Sequence, residues 1–173
     1  MNTEAISLAG PQDAAAHDTL FHFEQDFAGS LRCIPMAVRL KLDLCGIKLT
    51  LRQWSQLSHD DRQSLLGAVC TTPDARQDYH DRLVGLISFR CDEPVRKLVA
   101  DETYLWRDQT VIPECIVRQA DQDGVASPTP AAWHDLSPLE RFALVKLARS
   151  SHENENFVPA MREFGLLQDQ SID

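Results

Sequence analysis

IPMAVRLKLDLCGIKLTLRQWSQLSHDDRQSLL at residues 34–66 decides the fold, because much of its pattern returns as IPECIVRQADQDGVASPTPAAWHDLSPLERFALV at 112–145. At an offset of 78, Ile34-Pro35 falls on Ile112-Pro113 and Gly46-Ile47 on Gly124-Val125. One inserted residue makes the offset 79; Trp54 then falls on Trp133, Leu57-Ser58 on Leu136-Ser137, Arg62 on Arg141 and Leu65-Leu66 on Leu144-Val145. At an offset of 80, Gly85-Leu86 falls on Gly165-Leu166. Rare residues recurring in one order, tryptophan above all, point to a duplicated unit.

The shared unit reads as helical. Pro35 and Pro113 suit a first helical turn, where the missing N–H costs nothing. Gly46 and Gly124 stand where a helix of about ten residues needs a left-handed stop. Ser58 and Ser137 are natural N-caps with acidic residues in the following turn (Asp60, Asp61; Glu140), and Ser137 with Glu140 has the spacing of a capping box. Leu65, Leu66 and Val69, and Phe142, Leu144, Val145 and Leu147, supply the apolar faces. A last helix is expected from Thr72-Pro73 through Tyr79, Leu83 and Leu86, and in the second copy from near Asn156 through Met161, Phe164 and Leu167. Upstream, Leu20, Phe23, Phe27 and Leu31 fall on one helical stripe. Only IKLTL at 47–51 reads as a strand.

The expected fold is therefore all-α, a helical bundle formed by two tandem copies of a three- to four-helix unit related by pseudo-twofold symmetry. The expected divisions are a mobile N-terminal tail at 1–17, a first unit at 18–87, a connector at 88–111, a second unit at 112–167 and a C-terminal tail at 168–173. Trp54 and Trp133 read as core anchors of their units.

Among 173 residues, 43% are hydrophobic and 25% charged, ordinary globular values. A net charge of −9 argues against nucleic acid, whose phosphates require a dominant basic face. The charge is uneven. Residues 1–30 hold no Lys or Arg, whereas 31–52 carry Arg32, Arg39, Lys41, Lys48 and Arg52 against Asp43 alone. Such a stretch is either a solvated face answered by the protein's own acids or a docking patch for an acidic partner. The five cysteines, Cys33, Cys45, Cys70, Cys91 and Cys115, are odd in number with no C-x-x-C, and neither a signal peptide nor an apolar run long enough to span a membrane is present. Cytoplasmic residence with reduced thiols is expected.

Reactive chemistry finds little support. The Cys and His spacings offer no local zinc clamp, and no phosphate-binding or nucleophile-elbow motif occurs, so no metal, cofactor or catalytic residue is expected and the chain is read as a non-enzyme. Cys33, set between Arg32 and Arg39, is the best-placed thiol for a lowered pKa, although a small buried hydrophobe is the commoner role. The densest polar cluster, Ser150 to Phe157, contains His152-Glu153-Asn154-Glu155-Asn156, of which Asn154 or Asn156 can cap the final helix.

SLRCIPMAVRLKLDLCGIKLTLRQW at 30–54, LSPLERFALVKLAR at 136–149 and HENENFVPAMREFGLL at 152–167 resemble the nitrate reductase-associated proteins, over about residues 20–167. That resemblance implies an accessory role toward a cytoplasmic molybdenum enzyme, assimilatory nitrate reductase, and carries over no catalytic or binding residue. The expected partner is nitrate reductase, a maturation factor or an electron donor. Its expected contact surface comprises Arg32, Cys33, Arg39, Lys41, Lys48 and Arg52 together with His152, Glu153, Asn154, Asn156 and Phe157. The rival readings are a small-molecule binder with a pocket between the copies, an enzyme using Cys33 or His152, and a carrier of a cofactor or metal.

Overall fold

A computed structural model describes residues 18–99, 102–152 and 154–168 of the chain. The expected N-terminal tail and all but Gln168 of the expected C-terminal one lie outside the described residues. Described in chain order, the helices are α1 (Gln25–Ala28), α2 (Met36–Cys45), α3 (Leu51–Gln56), α4 (His59–Gly67), α5 (Pro73–Arg90), α6 (Glu114–Gln122), α7 (Pro130–Asp135), α8 (Pro138–Arg149) and α9 (Phe157–Glu163). Short 3-10 turns occupy His22–Glu24, Glu102–Arg107 and Asn154–Asn156. The fold is mostly helical. Its one departure among the described residues is an antiparallel ribbon in which β1 (Ile47–Lys48) pairs Ile47 with Lys97 and Lys48 with Arg96 of β2 (Arg96–Lys97).

The helix boundaries follow from their caps. Gly46 and Gly124 sit at φ 72° and 67°, the left-handed conformation that a Cβ disfavours, and they end α2 and α6. Ser58 accepts from the Asp61 N–H at 3.1 Å while its own N–H donates to the Asp61 carboxylate at 3.0 Å. Ser137 and Glu140 repeat that reciprocal pair at 3.2 and 2.8 Å. Thr50 and Thr129, again 79 apart, each cap the helix that carries the tryptophan. Pro35 and Pro113 stand at the N-cap, one position before the helical turn expected for them.

Matched contacts surround the two tryptophans. Trp54 and Trp133 are fully buried; their indole N–H groups donate to the carbonyls of Leu31 at 2.7 Å and Asp108 at 3.0 Å. Arg62 donates to the carbonyls of Trp54, Ser55, Leu57 and Leu31, and Arg141 to those of Trp106, His134 and Leu136. Each arginine thus satisfies carbonyls that a six-residue helix leaves open at its C-terminus.

Three expectations shift. The stripe from Leu20 to Leu31 is a 3-10 turn and the short α1, broken at Gly29-Ser30, with Leu31 buried at φ 49°. That backbone strain is held in place because Leu31 donates to Phe27 O at 2.7 Å and its carbonyl faces Trp54 and Arg62. α5 runs on to Arg90, past the expected edge at 87, and α9 stops at Glu163 rather than reaching Leu167.

The core gathers around α2 and α8. α2 packs on α5 and α8, while α8 packs on α6, α9 and the 102–107 turn. α2 packs on α8 more extensively than α6 does on α4, so the helices that follow Pro35 and Pro113 have different neighbours among the described residues.

Candidate functional site

The expected contact surface breaks into four environments. Lys41 is 3% exposed, on the face of α2 that also buries Ala37, Val38 and Leu42. Its ammonium donates to the carbonyls of Leu65 and Leu66 near the end of α4 and lies 5.8 Å from the Tyr79 ring. Tyr79 Oη donates to Leu65 O at 3.1 Å. Burial pushes Lys41 down to about 8, while Cys70 and Asp18 draw it back up. The same burial pushes Cys45 up to about 11 and raises Cys70 and Tyr79. Lys41 is an internal cap for α4, not a surface cation, which corrects its place in the expected docking patch.

Arg52 is exposed and lies 3.8 Å from Glu93 and 4.0 Å from Asp92, so the protein's own acids answer it. Arg32 is exposed and donates to Asp26 O at 3.1 Å. Cys33, Arg39 and Lys48 share a different setting. They line a groove of about 330 Å³ whose walls include Ile34, Leu42 and Ile47, with Leu98 and Leu51 also lining it. Arg39 is half-buried and its Nε donates to Ile34 O at 2.9 Å. Two residues absent from the expected site complete the groove: Asp43 of α2 and Lys146 of α8, paired at 3.3 Å across the interface between those helices. Lys146 also lies 5.3 Å from the Phe142 ring. A signal for Lys146 exists in the sequence, since it interrupts a helix otherwise buried from Leu139 to Leu147 apart from Glu140.

The 152–157 segment is elsewhere. His152 is exposed, with its N–H donating to Ser150 Oγ at 3.2 Å. Glu153 lies outside the described residues. Asn154 is half-buried and, with Ser150, Ser151, Arg118 and Arg149, lines a second cavity of about 690 Å³ beside α6. Asn156 stands at the N-cap of α9, and no side-chain bond caps that helix. Phe157 is fully buried, because positions 157, 160 and 161 form the inward face of α9. It belongs to the core, which corrects its place on the expected contact surface.

Glu24, like Lys41 and Arg141, is a buried charged residue. Its carboxylate accepts from the N–H of Met36 at 2.7 Å and of Phe21 at 3.1 Å, capping α2 from twelve residues upstream. Burial raises its pKa, against the pull of those two N–H groups and of Arg39. Among the described residues, no group of three or more His, Cys, Asp or Glu could hold a metal ion, and no helix is long and apolar enough to cross a membrane.

The family model of the conserved nitrate reductase-associated proteins matches residues 20–164, which contain the groove, the buried lysine and both tryptophan anchors. The chain belongs to that family. Within this nitrate reductase-associated protein, the match takes in both tryptophan-bearing helices, α3 and α7, and the whole of α9. Neither the curated proteins nor the solved structures gave a match to it.

Proposed function

We propose that this protein supports assimilatory nitrate reductase in the cytoplasm by direct contact with the enzyme, a maturation factor or an electron donor. Its membership of the nitrate reductase-associated family over residues 20–164 carries the reading. The proposed contact surface comprises two patches, one of exposed Arg32, Lys48 and Arg52 with half-buried Cys33 and Arg39, the other at the His152–Asn156 segment. It excludes Lys41 and Phe157, which are buried. We further propose that the two units, 18–87 and 112–167 joined by 88–111, descend from one ancestral unit; the paired tryptophans, arginine brackets and capping boxes support this.

The test is affinity capture of the tagged protein from nitrate-grown cells, followed by reconstitution of any recovered nitrate-assimilation protein with purified components. The expected contact weakens several-fold in the double variant Arg32→Glu, Arg52→Glu, mainly through slower association, and more so at low salt. Capture that recovers no nitrate-assimilation protein, or a reconstituted contact indifferent to the double variant and to salt, overturns the reading.

A further inference from the structure

The groove between α2, the β-ribbon and α8 has the composition of a small-molecule site. Its volume of about 330 Å³ stands at the small end of the range of ligand pockets, roughly 300 to 1,000 Å³. Ile34, Leu42 and Ile47 are buried and form apolar wall, continued by half-buried Leu49 and Leu98 and by exposed Leu51. Against this stand three cations, Arg39, Lys48 and Lys146, and a single carboxylate, Asp43. In a chain whose net charge is −9, that is a local excess of positive charge. Asp43 offsets Lys146 at 3.3 Å, and Glu24, whose carboxylate caps α2, attracts Arg39. The charge left to a ligand is therefore close to one, supplied mainly by Lys48, which is exposed at the rim on β1.

An apolar trough with one net positive charge at its edge fits an ion whose charge sits at one end of an aliphatic body. We propose that this groove binds a small monocarboxylate carrying an aliphatic chain of about six to eight carbons. The carboxylate lies toward Lys48 and Arg39, and the chain lies along Ile34, Leu42, Ile47 and Leu98. Because α2 and β1 belong to the first unit and Lys146 to the second, the ligand touches both units and the connector that carries Leu98. This goes beyond the accessory role and stands or falls separately from it, since it concerns the isolated protein and no partner is needed to observe it.

The experiment titrates the purified full chain with butanoate, hexanoate and octanoate, and with octanol and octyl phosphate, following the methyl resonances of labelled Leu, Ile and Val. Octanoate is expected to shift the methyls of Ile34, Leu42, Ile47 and Leu98, and to bind at least tenfold more tightly than octanol. Each methylene that enters the groove tightens binding about threefold to fourfold. Lys48→Ser weakens octanoate about fivefold to tenfold and leaves octanol unchanged; Leu51→Ser lowers the gain per methylene. Both residues are exposed, so the variants retain the fold, checked by circular dichroism. Octanol equal to octanoate, octyl phosphate tighter than octanoate, shifts confined to the α6–α8 cavity, or no saturable shift overturns the proposal.

Discussion

Replacing Lys41 by Met separates what this buried ammonium contributes as a hydrogen-bond donor from what its charge costs. In the folded chain burial lowers Lys41 from 10.5 to about 8. The folded state therefore sheds this proton first, and between those two values the unfolded chain holds more protons. Where the unfolded state binds more protons, stability rises with pH. The penalty for a buried charge is fully present below pH 8 and is lost as pH climbs toward 10.5. With about 1.4 kcal/mol per tenfold change, Lys41 gains about 2 kcal/mol of stability between pH 7 and pH 9.5. Cys45 and Cys70 work in the opposite direction, since burial raises them and the unfolded thiols ionise first. The quantity to read is thus the difference between wild type and Lys41→Met, in which most of the thiol contribution cancels. Urea unfolding of both proteins under reducing conditions at pH 7, 8 and 9.5 measures it. At pH 7 the variant loses the bonds to Leu65 O and Leu66 O, about 1–3 kcal/mol, but is relieved of a charge of similar cost, so the two stabilities lie close. By pH 9.5 the wild type gains about 2 kcal/mol on the variant. Parallel stability profiles, with the difference constant to within about 0.5 kcal/mol, would refute the reasoning.

The glycines offer a contrast of sign. Gly46→Ala places a Cβ at φ 72° and costs about 1 kcal/mol, whereas Gly85→Ala, inside α5 with open space around it, stabilises by about 0.5–1 kcal/mol; thermal unfolding of the pair checks both. Arg141→Leu leaves the carbonyls of Trp106, His134 and Leu136 without their donor and costs about 3 kcal/mol, and Arg141→Lys recovers only part because an ammonium lacks the guanidinium fork. Urea midpoints that rank Lys at or above wild type would contradict this.

Caps and anchors were legible in the sequence because they are local. Ser58, Ser137, Gly46 and Gly124 act within one turn of their own helices, and Trp54 and Trp133 declared themselves by recurring. The first unit's capping box was readable too, but Asp61 is shorter than the Glu usually sought at that position. The groove was not legible. Asp43 and Lys146 lie 103 residues apart and meet only because α2 packs on α8, which no spacing announces. Lys41 and Phe157 were misplaced for a different reason. Both were read from the charge or polarity of the run containing them, when helical spacing already set Lys41 beside Ala37 and Val38 and Phe157 beside Ala160 and Met161. Half of the ribbon was read, since β1 lies within IKLTL; its second strand escaped notice because Arg96-Lys97 is polar on both faces and so carries no alternation.

The two proposed units differ most in which described residues cover them. In the first, α5 lies across α2 and α4, and Tyr79 seals the contact by donating to Leu65 O, which closes Lys41 and Cys70 into the interior. The positions that pair with those two at offsets of 78 and 79 are Gln119 and Arg149, and both line the open cavity of about 690 Å³ beside α6. The cause is the path taken after Ser150. There α9 lies on α8 and against the His22–Glu24 turn, tied by the Glu163 carboxylate to the His22 N–H at 2.8 Å and by Phe164 to Phe21 at 5.0 Å between ring centroids. Among the described residues a cavity therefore stands beside α6 and the end of α8, with Asn154 in its lining. On the proposed duplication, a final helix that packs on the His22–Glu24 turn accounts at once for the buried Lys41 and Cys70, for the cavity at their counterparts Gln119 and Arg149, and for a His-Glu-Asn run found in only one copy.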